Sequence, residues 1–75
     1  MGIKKVYIVN SYVNGSFQAL FYSKEHPLRI RAVVEKFEGY ARETESMVTA
    51  KMFFGFLDMC NIDYEVVESV QMVVM

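Results

Sequence analysis

The sequence contains no tryptophan and has only one cysteine, one histidine and one proline among its 75 residues. A single cysteine excludes an intrachain disulfide. A zinc site would need His26, Cys60 and two carboxylates, which is an uncommon set of ligands. We therefore expect no metal and no other cofactor. A chain of this size buries only about 60% of the surface of its unfolded state, so a partner subunit remains as the means of stabilising it.

An excess of charge of either sign is also missing, because eight basic and nine acidic residues leave a net charge of −1. This balance argues against nucleic-acid binding, which usually shows a basic patch. The longest apolar stretch, 47–60, contains Lys51 and Asp58 and is shorter than the about 20 residues that span a bilayer. Residues 1–9 lack an apolar core of signal-peptide length, so we expect no targeting segment there. We expect a cytoplasmic protein, which agrees with a reduced cysteine, and no membrane contact.

The sequence also contains no recognisable group of catalytic residues. His26 would need an orienting carboxylate and a nucleophile to act as a general base. Glu25 is its neighbour, but Ser23 is the only hydroxyl nearby and could cap a helix instead. Cys60 falls at the end of a predicted helix, where the dipole disfavours a thiolate. We expect no catalytic residue, and hence a protein that is not an enzyme.

Two apolar segments, 3–13 and 17–23, flank the dipeptide Asn14-Gly15. This pair favours a two-residue type I′ turn and therefore a β-hairpin. The resulting register places Tyr7 opposite Tyr22. Alternation then predicts a core face made of six side chains, namely Val6, Ile8, Tyr12, Phe17, Ala19 and Phe21.

Apolar residues at helical spacing follow Pro27 and predict an amphipathic helix over 27–42. Its buried stripe should contain Ile30, Val33, Val34, Phe37 and Ala41. Because apolar residues also alternate within 28–34, a strand is the competing interpretation. A second helix is predicted over 45–60, capped by Thr44 or Ser46. It is apolar around most of its circumference, which is typical of a helix buried on all sides.

The last predicted element is a strand over 62–74, with an uncharged end at 70–75 that would aggregate if left open. We expect this strand to be central in the sheet or paired with another chain. Together the elements predict one small α+β domain over 1–75 with the order β-β-α-α-β. In this two-layer fold the N-terminal hairpin and the C-terminal strand share one sheet, and both helices pack on one face.

Excess apolar surface leads to the functional prediction: a non-enzymatic protein-binding module that forms a homodimer, binds a larger protein, or does both. It would act as an inhibitor, adaptor or regulator through burial of Phe and Met anchors. The alternative is a protein that binds single-stranded nucleic acid by stacking bases on Tyr7 and Tyr22. The predicted partner-binding residues are Met52, Phe53, Phe56, Met59, Tyr7, Tyr22 and Met72.

Overall fold

The structure, a computed structural model, describes residues 4–67. Its elements in chain order are β1 (Lys5–Ser11), β2 (Phe17–Ser23), α1 (Pro27–Thr44), α2 (Ala50–Met59) and β3 (Glu65–Val66). The strands form one antiparallel sheet, and the predicted α+β fold with the order β-β-α-α-β is confirmed. The strand interpretation of 28–34 is wrong, because this segment lies within α1.

The hairpin forms, but its predicted register is wrong by one residue. Tyr7 lies opposite Phe21 and not opposite Tyr22. The connection between the strands is the longer segment 12–16. Asn14 has the positive φ of 54° that the dipeptide suggested, and its side-chain Nδ2 donates a hydrogen bond of 2.8 Å to the C=O of Ala41 in α1. The turn is therefore held by α1 as well as by its own backbone preferences.

A slip of one residue turns a strand over, because successive side chains point to opposite faces. The predicted core positions of β1, which were Val6, Ile8 and Tyr12, are therefore wrong, and all three side chains are exposed. The positions on β2 are confirmed, since Ala19 and Phe21 are buried and Phe17 packs against the core. The side chains of β1 that face the helices are Tyr7, Val9 and Ser11.

Aromatic rings fill the space between the sheet and the helices. Phe53 of α2 is fully buried, and its ring centroid lies 6.2 Å from that of Phe21 and 5.3 Å from that of Phe37. The predicted stripe of α1 is confirmed. Its residues Ile30, Val33, Phe37 and Ala41 are buried, and Val34 is half-buried against them. One contiguous core thus joins both helices to one face of the sheet.

The boundary between the helices differs from the prediction. Thr44 is the last residue of α1, and its hydroxyl donates to the C=O of Tyr40, so it cannot cap the next helix. Ser46 does not cap it either. The segment after Thr44 runs on to bury Val48, and Thr49 then caps α2 by accepting from the N–H of Met52 at 3.2 Å. The second helix is therefore shorter than the predicted 45–60.

A Schellman motif ends α2, and the chain after it turns back toward the sheet. Asn61 has a left-handed φ of 60°, and the N–H of Ile62 donates to the C=O of Leu57 at 3.0 Å. Both Ile62 and Leu57 are buried, which supplies the apolar contact that accompanies this motif. The chain then enters β3 beside β2.

Within the described residues the strand order is β1-β2-β3, so β2 is central and β3 lies at an edge. The expectation of a central C-terminal strand is wrong, because the hairpin occupies one side of β2 and β3 pairs with the other. The N–H of Val67 continues this pairing by donating to the C=O of Leu20 at 3.2 Å. Most of the predicted strand over 62–74, including the uncharged end 70–75 and the candidate Met72, lies outside the described residues.

Candidate protein-binding surface

On the face of the sheet opposite the helices, β1 and β2 carry four apolar side chains, which we call the open sheet face: Val6, Ile8, Leu20 and Tyr22. In the antiparallel register Val6 is paired with Tyr22 and Ile8 with Leu20, so the four form one compact group. Val6 is 57% exposed, Ile8 59% and Tyr22 36%. No element of the described part packs over them.

Polar pairs border the open sheet face at both ends. At one end, Gln18 Nε2 donates to Asn10 Oδ1 at 3.1 Å. At the other, Lys4 Nζ lies 2.7 Å from Glu65 Oε1. This hydrogen bond, together with the charge of Lys4, lowers the pKa of the Glu65 carboxyl, and Glu65 in turn raises the pKa of Lys4. An apolar centre within a polar rim is the usual anatomy of a protein–protein interface.

The candidate residues on α2 divide between the core and the surface. Phe53 is enclosed within the chain and presents no surface to a partner in this fold. Phe56 is half-buried, with its ring centroid 5.4 Å from that of Phe37. Met52 and Met59 are exposed, Met59 to 77%. They lie on the outward side of α2 with Gly55 between them, so this side and not the aromatic side could reach a partner.

The two candidate tyrosines lie on opposite faces of the sheet, so the predicted Tyr7/Tyr22 pair does not form. The ring of Tyr7 stacks on Phe21 at 5.5 Å on the helix side, and its hydroxyl donates to the C=O of Glu25. Burial, with a smaller contribution from the charge of Glu25, raises the pKa of the Tyr7 phenol. Of the two, only Tyr22 lies on the open sheet face, so the Tyr7/Tyr22 stacking platform of the nucleic-acid alternative does not form.

A second surface feature is the outer edge of β1. In the part of the chain that the structure describes, β1 pairs only with β2. A cleft of about 470 Å³ runs between this edge and α1. It is lined by residues 7–10 of β1 and, on α1, by Pro27, Ile30, Arg31, Val34, Glu35 and Glu38. The hairpin brings this edge alongside α1, and the sequence patterns alone did not locate it.

The residues considered for chemistry have structural contacts. The ring nitrogen Nδ1 of His26 accepts a hydrogen bond from the N–H of Leu28 at 3.0 Å and caps α1. Ser23 Oγ accepts from the N–H of Glu25 and donates to the C=O of Asp63. Cys60 is half-buried, and its C=O accepts from Arg29 Nη2 at 3.1 Å. These contacts position the helices and bring no nucleophile against a base.

Residues 4–67 contain no group of three or more potential metal ligands. Over the same range, neither helix is both long and apolar enough to cross a bilayer. Comparisons with protein-family models, curated proteins and solved structures return no match.

Proposed function

We propose that this chain is a small protein-binding module without chemistry of its own, which self-associates and acts as an inhibitor, adaptor or regulator of another protein. The observation that carries the proposal is the open sheet face. Antiparallel sheets commonly pack one face on a core and leave the other solvated and polar. Here the solvated face has an apolar centre.

The orientation of β1, which decides which of its side chains face the helices, supports this proposal. The chain turns Tyr7, Val9 and Ser11 toward the helices and leaves Val6 and Ile8 in solvent. Burying Ser11 requires a hydrogen-bond acceptor, which Glu38 provides through Oε2 at 2.8 Å. The sequence thus retains a polar side chain in the core while an apolar pair remains outside. Departures from local patterning are concentrated at functional sites, and a partner that covers Val6 and Ile8 accounts for this one.

The open sheet face is too small to hold a partner by itself. Complete burial of a large apolar side chain contributes about 1.5–3 kcal/mol, so four half-exposed side chains offer about 4 kcal/mol in total. That free energy corresponds to a dissociation constant of about 1 mM, before the entropic cost of association. Tight binding needs further surface, which the exposed Met47, Met52 and Met59 or a second copy of the chain could provide.

The test combines light scattering with affinity capture, using a variant whose apolar centre is removed. Leu20→Thr with Tyr22→Thr keeps two strand-forming residues on β2 but makes the open sheet face polar. We expect a partner retained by the parent chain to be lost by this double variant. Gln18→Thr, on the same strand and face but at its polar end, is the matched control and should retain the partner.

Light scattering of the parent chain measures self-association directly. A dimer that dissociates on dilution is the expected result. A chain that remains monomeric at high concentration, and that captures the same proteins before and after the double substitution, contradicts the proposed function.

A further inference from the structure

The backbone of β1 presents a row of hydrogen-bonding groups at its outer edge. Leu20 directs its C=O toward β3, where it accepts from the N–H of Val67. Because backbone groups alternate in direction along a strand, the residues on either side of Leu20 point toward β1. They bond to their partners Val9 and Tyr7. The N–H and C=O groups of Val6, Ile8 and Asn10 consequently point away from β2.

Most of this edge lacks the usual protection against pairing with another chain. Proteins protect edge strands with charged side chains, especially lysine, with proline, with a bulge or with a covering element. The charge on β1 is confined to Lys5 at its start, residues 6–11 contain neither proline nor a charged side chain, and β1 pairs with β2 without a bulge. In the described part, α1 borders the edge across the cleft and donates no hydrogen bond to Val6, Ile8 or Asn10. An added strand would satisfy these groups.

We propose that the outer edge of β1 pairs with the same edge of a second copy, antiparallel and about a twofold axis at Ile8. This pairing places Ile8 opposite Ile8 of the second copy and Val6 opposite Asn10. Two three-stranded sheets become one continuous sheet, and the two open sheet faces join into a single larger surface. The inference rests on the proposed function, because it takes the chain to self-associate.

The charges along the cleft favour a second copy over an unrelated strand. Contacts of Tyr7 with Glu25 and of Ser11 with Glu38 show that α1 runs beside β1 in the same direction. A twofold axis therefore makes the two α1 helices antiparallel. Arg31, Glu35 and Glu38 of α1 all line the cleft, so each copy presents one cation and two carboxylates to the other. Self-complementary charge of this kind is what an isologous interface requires.

The experiment separates the contribution of the backbone N–H of Ile8 to dimerisation from the contribution of its side chain. Ile8→Pro removes the N–H that faces the edge without removing a bond to β2, since that N–H points away from β2. Ile8→Thr is the matched control, because it also removes the apolar side chain but keeps the N–H and the β-branched shape. The mass of each chain is measured by light scattering over a dilution series, after circular dichroism has shown that the variant is folded.

We expect the Ile8→Pro dimer to dissociate about 30-fold more readily than the Ile8→Thr dimer, because both variants lose the apolar side chain and only Ile8→Pro also loses two hydrogen bonds per dimer. Equal dimerisation of both variants overturns the edge pairing and leaves the proposed function standing. Equal loss of the dimer in both variants also overturns it, because the contact then depends on the side chain of the open sheet face.

Amide hydrogen exchange of the parent chain gives a second readout that does not depend on a variant. The amides of Val6, Ile8 and Asn10 should exchange rapidly at low protein concentration and slowly at high concentration. Those of Tyr7 and Val9, bonded to β2, should be protected at both. Slow exchange of the first three amides in a monomer would mean that another part of the same chain occupies the edge. Rapid exchange in a dimer would place the interface elsewhere, and either result overturns the inference.

Discussion

At the scale of single residues, Tyr7 shows how the inverted face of β1 is accommodated. A tyrosine has an apolar ring and a polar hydroxyl, and a buried hydroxyl needs a partner. The ring stacks on Phe21, while the hydroxyl reaches the C=O of Glu25 just before α1. The same side chain thus contributes to the core and fixes the start of α1. A valine or isoleucine at this position could do only the first.

The environment of Tyr7 predicts a loss of stability in alkali. Because the pKa of its phenol is raised in the folded chain, the neutral form is favoured by folding. Below the unfolded pKa of about 10 both states are neutral and this contribution is fully present. Above it the unfolded chain loses the proton first, so the free energy of unfolding falls until the folded pKa is reached. Tyr64, whose pKa is also raised, adds to this decline.

Urea unfolding of the parent chain and of Tyr7→Phe between about pH 7 and about pH 11 measures the effect. At neutral pH the variant should be less stable by about 1 kcal/mol, the usual contribution of one hydrogen bond. Above the phenol pKa its stability should decline less steeply than that of the parent. Parallel pH profiles would show that Tyr7 contributes nothing to the alkaline decline.

At the scale of the elements, the end of α1 contains a strained residue that invites a direct test. Glu45 has a φ of 57°, and a left-handed conformation costs a residue with a Cβ about 1–2 kcal/mol. Glycine adopts it without this cost. Glu45→Gly should therefore raise the free energy of unfolding by up to about 1 kcal/mol, once the greater entropy of glycine in the unfolded chain is included.

Glu43→Gly is the matched control, because it makes the same change two residues earlier, inside α1 and equally exposed. It should lower the free energy of unfolding by about 0.5 kcal/mol, since glycine is a poor helix former. Both effects are read from urea unfolding curves. The same sign for the two substitutions would show that the left-handed turn at Glu45 is not under strain.

The elements themselves could be predicted from the sequence where a repeating pattern is strong. The apolar stripe from Ile30 to Ala41 predicted α1 and its buried face, and the Asn14-Gly15 dipeptide predicted the hairpin. The register could not be predicted from the dipeptide, because local turn preferences do not include tertiary contacts such as the hydrogen bond between Asn14 and Ala41 of α1. The cap of α2 was missed for a related reason, since burial of Val48 moves the start of the helix to Thr49.

The candidate site could also be predicted only in part, because some of its residues follow from composition and others depend on tertiary structure. The outward methionines Met52 and Met59 and the exposed Tyr22 were among the predicted residues, because apolar excess can be counted in a sequence. Val6 and Ile8 were assigned to the core, since their exposure depends on the register of the hairpin. The edge of β1 could be found only from the strand order and from the direction of the Leu20 carbonyl.

At the scale of the whole molecule, size limits the stability of a single copy. A chain of about 75 residues has a small core, and small domains commonly depend on disulfides, metals or association. Cys60, the one cysteine, forms no disulfide. The aromatic cluster around Phe21 and Phe53 is part of the buried core, while Val6, Ile8 and the exposed methionines leave apolar surface in water. Association would convert part of that surface into buried area and so add to stability.

Stabilisation by association predicts that the thermal unfolding midpoint of the parent chain rises with its concentration. If folding is coupled to dimer formation, a concentration increase of about 100-fold stabilises the folded state by about 2.7 kcal/mol of dimer, which corresponds to a shift of about 5 °C or more for a domain of this size. Calorimetry at the two concentrations measures the shift. The midpoint of Ile8→Pro, which removes an edge donor, should rise less over this range than that of Ile8→Thr. A midpoint of the parent chain that stays constant over this range would mean that a single copy folds without help, and that its exposed apolar face is reserved for a different protein.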